Sequence, residues 1–257
     1  MPITYAAAIV FIMGMSIYLL FILPTQWLKI ERVSVNIGLN MKILQLSDLH
    51  VERLRINSQR VKILIEQEKP DYIFITGDFT KHPHYLSKLQ SYLKVIRDSG
   101  IPCYSVLGNH DYQQPKVRKL IGLIENYGIP VLRNESLDLG RFQLIGIDDM
   151  DSGKSNIKLA YSKVASGTPV LIITHDPNLV LRLNRRFDYL MAGHLHGKQF
   201  NVPFFYSFRP MGPLPAMGIH KGLHKTDFGL YYISKGMGQT ACNARFMVRS
   251  EVTIHSL

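Results

Sequence analysis

The chain has 257 residues, 46% of them hydrophobic, which is enough for one sizeable core with an appendage and excludes a disordered polymer. Lys and Arg number 30 against 19 Asp and Glu, a formal charge of +11 that favours anionic partners such as phosphate-bearing lipids, nucleotides or nucleic acid without choosing among them. The cysteines, Cys103 and Cys242, form no CxxC pair, which excludes a disulfide framework.

Residues 3–23 carry no charge, and as a helix they reach roughly 30 Å, about the thickness of a bilayer core. Pro24 is expected to close that helix, and Trp27, Lys29 and Arg32 follow as the aromatic-then-basic edge of a membrane exit. A cleaved signal peptide is the competing reading, but no Lys or Arg precedes the apolar stretch and no A-x-A site follows it. The expectation is therefore a transmembrane anchor over residues 1–27 and a soluble domain over 28–257. The chain would cross the cell membrane once, with the domain on the cytoplasmic face by the positive-inside rule.

Past the anchor, strand-like and helix-like runs alternate, the pattern of an α/β domain. Residues 33–37 alternate apolar and polar, and after a turn at Gly38 residues 41–46 read as a strand that runs into Ser47-Asp48-Leu49-His50. Asn57 or Ser58 caps a helix with Val61, Leu64 and Ile65 on one face, and the chain returns through Pro70 into a strand over 71–76. Leu86, Leu89, Leu93 and Ile96 keep helical spacing up to Gly100, and a strand over 101–107 ends at Gly108-Asn109-His110-Asp111. Pro115 opens a third helix that stops at Gly128. Strands are expected over 143–147, 170–174, 189–192, 230–234 and 246–254, and a long loop over 201–225.

Five of these strands end in polar residues: Asp48 and His50, Asp78 after Gly77, Asn109 to Asp111, His175, and His194 with His196. Strand ends are where α/β folds place their sites. Singly each residue is a turn former. Together they offer carboxylates, an amide and imidazoles without any cysteine, a donor set for manganese, iron or zinc. If strand geometry persists, the side chains of Asp48 and His50 point the same way, as do those of His194 and His196. In the 201–225 segment His220, His224 and Arg209 are candidate substrate contacts, Arg209 through a phosphate. His255 reads as structural.

The ordered pattern D-x-H, G-D, G-N-H-[DE], a later His and G-H-x-H resembles the calcineurin-like metallophosphoesterases, from about Met41 to the C-terminus. The anchor, the LSDLH run and the late GLYYISKGMG run are similar to the YkuE and YaeI type of bacterial membrane-associated phosphodiesterase. Leu195 and Lys198 depart from that group's GHTHGGQ. The resemblance implies a four-layer α/β/β/α sandwich, two mixed sheets flanked by helices. It implies two divalent metal ions, one held by Asp48, His50 and His196, the other by Asn109, His175 and His194, with Asp78 bridging. His110 would be the catalytic histidine and Asp111 would orient it. The implied activity is hydrolysis of a phosphodiester or pyrophosphate by a hydroxide shared between the metals. The anchor and the apolar residues of the 201–225 segment point to a lipid-linked substrate. A nuclease or nucleotide phosphodiesterase is the alternative, followed by a non-catalytic membrane scaffold with the same fold.

Overall fold

The computed structural model describes residues 2–202 and 211–257. The apolar stretch Thr4–Gln26 is one helical run of 23 residues with mean hydropathy 2.5, long and apolar enough to cross a membrane. Pro24 does not close it. The chain is α-helical over Pro2–Ile17, widens into a π-helical turn at Tyr18–Ile22, and resumes over Leu23–Gln26 with Pro24 in that last turn. A proline removes an N–H and crowds the carbonyl one turn back, and a widened turn relieves both.

Eleven strands among the described residues form two mixed sheets. The first contains β1 (Lys29–Ser34), β2 (Lys42–Leu46), β3 (Tyr72–Thr76), β4 (Cys103–Val106) and β11 (Glu251–Ser256) in the order β1-β11-β2-β3-β4. The second contains β5 (Glu135–Asp138), β6 (Gln143–Gly146), β7 (Val170–Ile173), β8 (Tyr189–Ala192), β9 (Gly222–Lys225) and β10 (Leu230–Ile233) in the order β5-β6-β7-β8-β10-β9. Strands β2 to β4 are mutually parallel, as are β6, β7, β8 and β10, so their C-terminal ends gather on one side.

Side-chain alternation builds the layers. Ile43, Phe74, Leu144, Leu171, Ile173 and Met191 fill the space between the sheets. Their neighbours Leu44, Leu46, Ile73 and Ile75 face the helices Ser58–Glu68 and Leu86–Asp98 through Val61, Leu64, Leu89 and Leu93. Ile145, Ile172 and Leu190 meet Leu179, Leu183 and Leu214 on the far side, which completes the four-layer α/β/β/α sandwich. Asn57 caps the first of these helices, its Oδ1 accepting from the Arg60 N–H at 2.9 Å.

The two sheets also share a buried polar chain. Gln45 Nε2 donates to Thr76 Oγ1 and to the Ala192 carbonyl, each at 3.0 Å. Because a carbonyl only accepts, this orients the amide, so Gln45 Oε1 takes the Nε2–H of His255 at 3.0 Å and His255 Nδ1 is left to face the Tyr189 hydroxyl at 2.9 Å. His255 is thus a structural tie, as expected.

Two further element expectations change. The last strand is Glu251–Ser256 and the run before it is irregular, because its N–H groups serve the N-terminal helix, Arg245 N to Phe21 O and Ser250 N to Pro24 O, both at 2.9 Å. The expected loop over 201–225 contains a helical turn, Pro213–Ala216, and the edge strand β9. Arg209 and its neighbours over 203–210 lie outside the described residues.

Candidate metal centre

All five expected strand ends converge at the C-terminal ends of the two sheets, although not by strand alternation. The strand β2 stops at Leu46, and Asp48, His50, Asp78, His194 and His196 adopt left-handed backbone angles, φ 51°, 38°, 57°, 71° and 47°. Such angles cost roughly 1–3 kcal/mol each in non-glycine residues and persist only where surrounding contacts enforce them. Here His50 N donates to Asp78 O at 2.9 Å, Asp48 N to Gly77 O at 3.1 Å, and Gly193 N to His175 O at 3.0 Å, lacing the turns together.

The glycines of the motifs are explained by the ligands beside them. A Cβ on Gly108 would lie 2.2 Å from Asp78 Oδ1, and one on Gly193 would lie 1.9 Å from Ser47 Oγ and 2.4 Å from Asp48 Oδ2. Backbone must approach these carboxylates more closely than any side chain permits.

Ligand atoms of Asp48, His50, Asp78 and His196 lie within 4.8 Å of one another, all buried. Asp78 Oδ2 is 3.2 Å from His50 Nε2 and also 3.2 Å from His175 Nε2, while Asp78 Oδ1 accepts the His110 N–H at 2.9 Å. One oxygen therefore stands between histidines of the two expected halves. His194 Nδ1 lies 3.3 Å from His175 Nε2, and His175 Nδ1 is 2.8 Å from the Thr76 carbonyl, which turns Nε2 inward. His196 Nδ1 and Asn109 Oδ1 are buried with no hydrogen-bond partner. Buried polar atoms without partners, in an imidazole, amide and carboxylate set, fit divalent metal ions.

Electrostatics agree. Burial alone disfavours every charge here. The Asp78 carboxylate nevertheless carries His50 up to about 9 and His175 well above its ordinary value, and those two imidazoles hold Asp78 well below the usual carboxylate range. Burial drives His196 down to about 3. The buried carboxylates thus demand positive charge, which divalent ions would supply while leaving the imidazoles neutral.

Asp111 does something other than expected. Its carboxylate accepts four backbone N–H groups, those of Asp78 and Gly108 at 2.9 Å, Phe79 at 2.8 Å and Thr80 at 3.1 Å. It ties the Asp78 turn to the Gly108 turn, and none of these bonds reaches the His110 ring. Burial, then the Asp78 charge, raise its carboxyl to about 7 against the pull of those N–H groups. The contact to His110 comes instead from Thr240, whose Oγ1 is 3.3 Å from Nε2. Gln199 grips that segment, its Nε2 donating to the Thr240 and Cys242 carbonyls at 3.0 and 2.9 Å.

Of the candidate substrate contacts, His220 is near Lys198 and Lys221; burial, then those charges, lower it to about 4. His224 lies on the edge strand β9, its Nε2 2.9 Å from the Lys221 carbonyl and its ring stacked on Tyr231. Sequence reasoning missed Asp149, fully buried just past β6 with Oδ1 unpartnered, although the strand-end rule that found His175 also reaches it. Gln199 closes the GHLHGKQ run, whereas nothing local marks Thr240.

This sandwich with a two-sided ligand cluster at its strand ends defines a class. The chain belongs to the calcineurin-like phosphoesterase family, whose model matches residues 41–198, and whose members are dimetal-dependent phosphoester hydrolases. It is 36% identical over 226 residues to YkoQ of Bacillus subtilis (strain 168), described as an uncharacterized metallophosphoesterase, covering 84% of this chain and 83% of YkoQ. It is 30% identical over 229 residues to the phosphodiesterase YaeI of Escherichia coli (strain K12), covering 84% and 82%. YkuE of Bacillus subtilis is 27% identical over 233 residues, covering 84% and 78%.

Proposed function

We propose that this chain is a phosphodiesterase that hydrolyses a phosphodiester or pyrophosphate bond of a lipid-linked substrate, at a cell membrane in which residues 1–27 anchor it and with the catalytic domain on the cytoplasmic face. The observation that supports the reaction is the single Asp78 oxygen 3.2 Å from both His50 Nε2 and His175 Nε2, from which Asp78 would bridge the two halves. Asp48, His50 and His196 would hold one ion and Asn109, His175 and His194 the other, as manganese, iron or zinc. When bound, such a pair supplies Lewis acidity and a nucleophile drawn from water near neutral pH.

The chain's own groups do the rest. His110 would exchange a proton with the leaving oxygen through Nε2, which lies 3.3 Å from Thr240 Oγ1. Asp111 keeps the two ligand turns in register. His220 and His224 are the described candidates for contact with substrate. The 23-residue apolar helix supports the membrane reading and, through it, a lipid-linked substrate. The charge of +11 favours a nuclease or nucleotide phosphodiesterase as the second reading.

The test is a screen of manganese- or zinc-loaded full chain in detergent against monoester, diester, nucleotide-sugar-lipid and single-stranded DNA substrates. Turnover of the lipid-linked diphosphate supports the first reading. Turnover of DNA alone, steeply salt-dependent, replaces it with the second. His110→Ala should keep its metal and lose about 10²–10⁴-fold in rate; unchanged rate would remove His110 from the chemistry.

A further inference from the structure

The late irregular run contains a fully buried arginine that no part of the reaction uses. The Arg245 guanidinium donates through Nη2 to the carbonyls of Lys235, Gly236 and Gly238 at 2.8, 2.9 and 2.6 Å, and through Nη1 to those of His196 and Arg249, each at 3.4 Å. The 236–238 run braces Asp48: Met237 N donates to Ser47 O at 2.9 Å and Gly238 N to Asp48 O at 2.7 Å. A Cβ on Gly236 would lie 2.6 Å from Asp48 Cβ. Arg245 thus holds the turn of one ligand directly and the turn of another through a single loop.

The same residue faces the other way through its backbone. Its N–H donates to Phe21 O, in the π-helical turn, and the Phe246 ring beside it stacks on Phe21 with centroids 5.1 Å apart. Thr25 and Trp27 continue the seam, Thr25 Oγ1 accepting from Arg55 at 2.8 Å and the Trp27 ring lying under the Arg249 guanidinium at 3.8 Å.

We propose that Arg245 is a positioning residue for the Asp48–His50–His196 half of the centre, and that it joins the end of the N-terminal helix to that half as one unit. This rests on the dinuclear reading of the site. The other half has separate support, since the His175 ring is held by the Thr76 carbonyl. Loosening Arg245 should therefore weaken one ion and spare its neighbour.

Cobalt(II) titration of the full chain in detergent, followed by absorption and calorimetry, tests this. Wild type should bind two ions. Arg245→Lys keeps the charge without the fork, and should bind one ion at wild-type affinity and the second about 10–100-fold more weakly, with a shifted cobalt band. Phe21→Ala, which touches no ligand, should shift the same band in the same direction with a smaller loss of affinity. Equal weakening of both ions, or none, in Arg245→Lys overturns the proposal. If Arg245→Lys does not fold, Phe21→Ala decides alone, and cobalt binding identical to wild type overturns the coupling. A wild type that binds no cobalt sinks the metal reading itself, and this proposal with it.

Discussion

Asp111→Asn keeps the shape of the side chain but turns one carboxylate oxygen into an NH2 group. In the structure each oxygen faces two backbone N–H donors, Oδ2 those of Asp78 and Gly108, Oδ1 those of Phe79 and Thr80. Whichever way the amide turns, two bonds are lost and two donors meet a donor. Stranding a buried donor costs about 1–3 kcal/mol, so the variant should lose about 2–6 kcal/mol. For a domain of this size that is a fall in melting temperature of roughly 5–20 °C. The assay is thermal and urea unfolding of the full chain in detergent, with metal content measured alongside. Metal should be lost together with stability, because the Asp78 turn moves. A variant that melts like wild type, keeps its metal and yet hydrolyses substrate slowly would refute this, and would return Asp111 to the role of orienting His110.

Three further outcomes are expected. Gly108→Ala places a methyl against Asp78 Oδ1 and should abolish tight metal binding, whereas Gly14→Ala, with nothing within 4 Å, should leave metal content unchanged; atomic absorption separates them. Burial holds His255 at about 3, below 6.5 for the exposed residue, so the unfolded chain takes up this proton first. Stability present above pH 6.5 should then be lost as pH falls from 6.5 toward 3, by at most about 1.4 kcal/mol per pH unit, and metal-loaded His255→Gln should show a shallower loss in urea unfolding. Chelation should lower the melting temperature and excess manganese should restore it, since a ligand at about 100 times its Kd stabilises by about 2.7 kcal/mol; identical melting curves would speak against a bound metal.

Much of this was legible in the sequence, because the signals concerned are local. Hydrophobic periods located β7, β8 and β10 nearly to the residue, and Asn57 marked its helix start by a bond only three residues long. The candidate donors were legible because they are a few chemically distinctive residues, each placed just past a strand, and four of them, Asp48, His50, Asp78 and His196, do come together. What only the tertiary structure decided depends on partners far apart in the chain. Pro24 remains inside its helix because Tyr18–Ile22 widens, Asp111 serves backbone N–H groups 31 to 33 residues earlier, and Thr240 reaches His110 across 130 residues. Asp48 and His50 meet their partners through left-handed turns that hydrogen bonds to the neighbouring strand ends enforce. Sequence by itself determined which side chains offer donor atoms for a metal, because donor chemistry belongs to the residue. The fold alone decided how those atoms are aimed, because aim is enforced by contacts between distant segments.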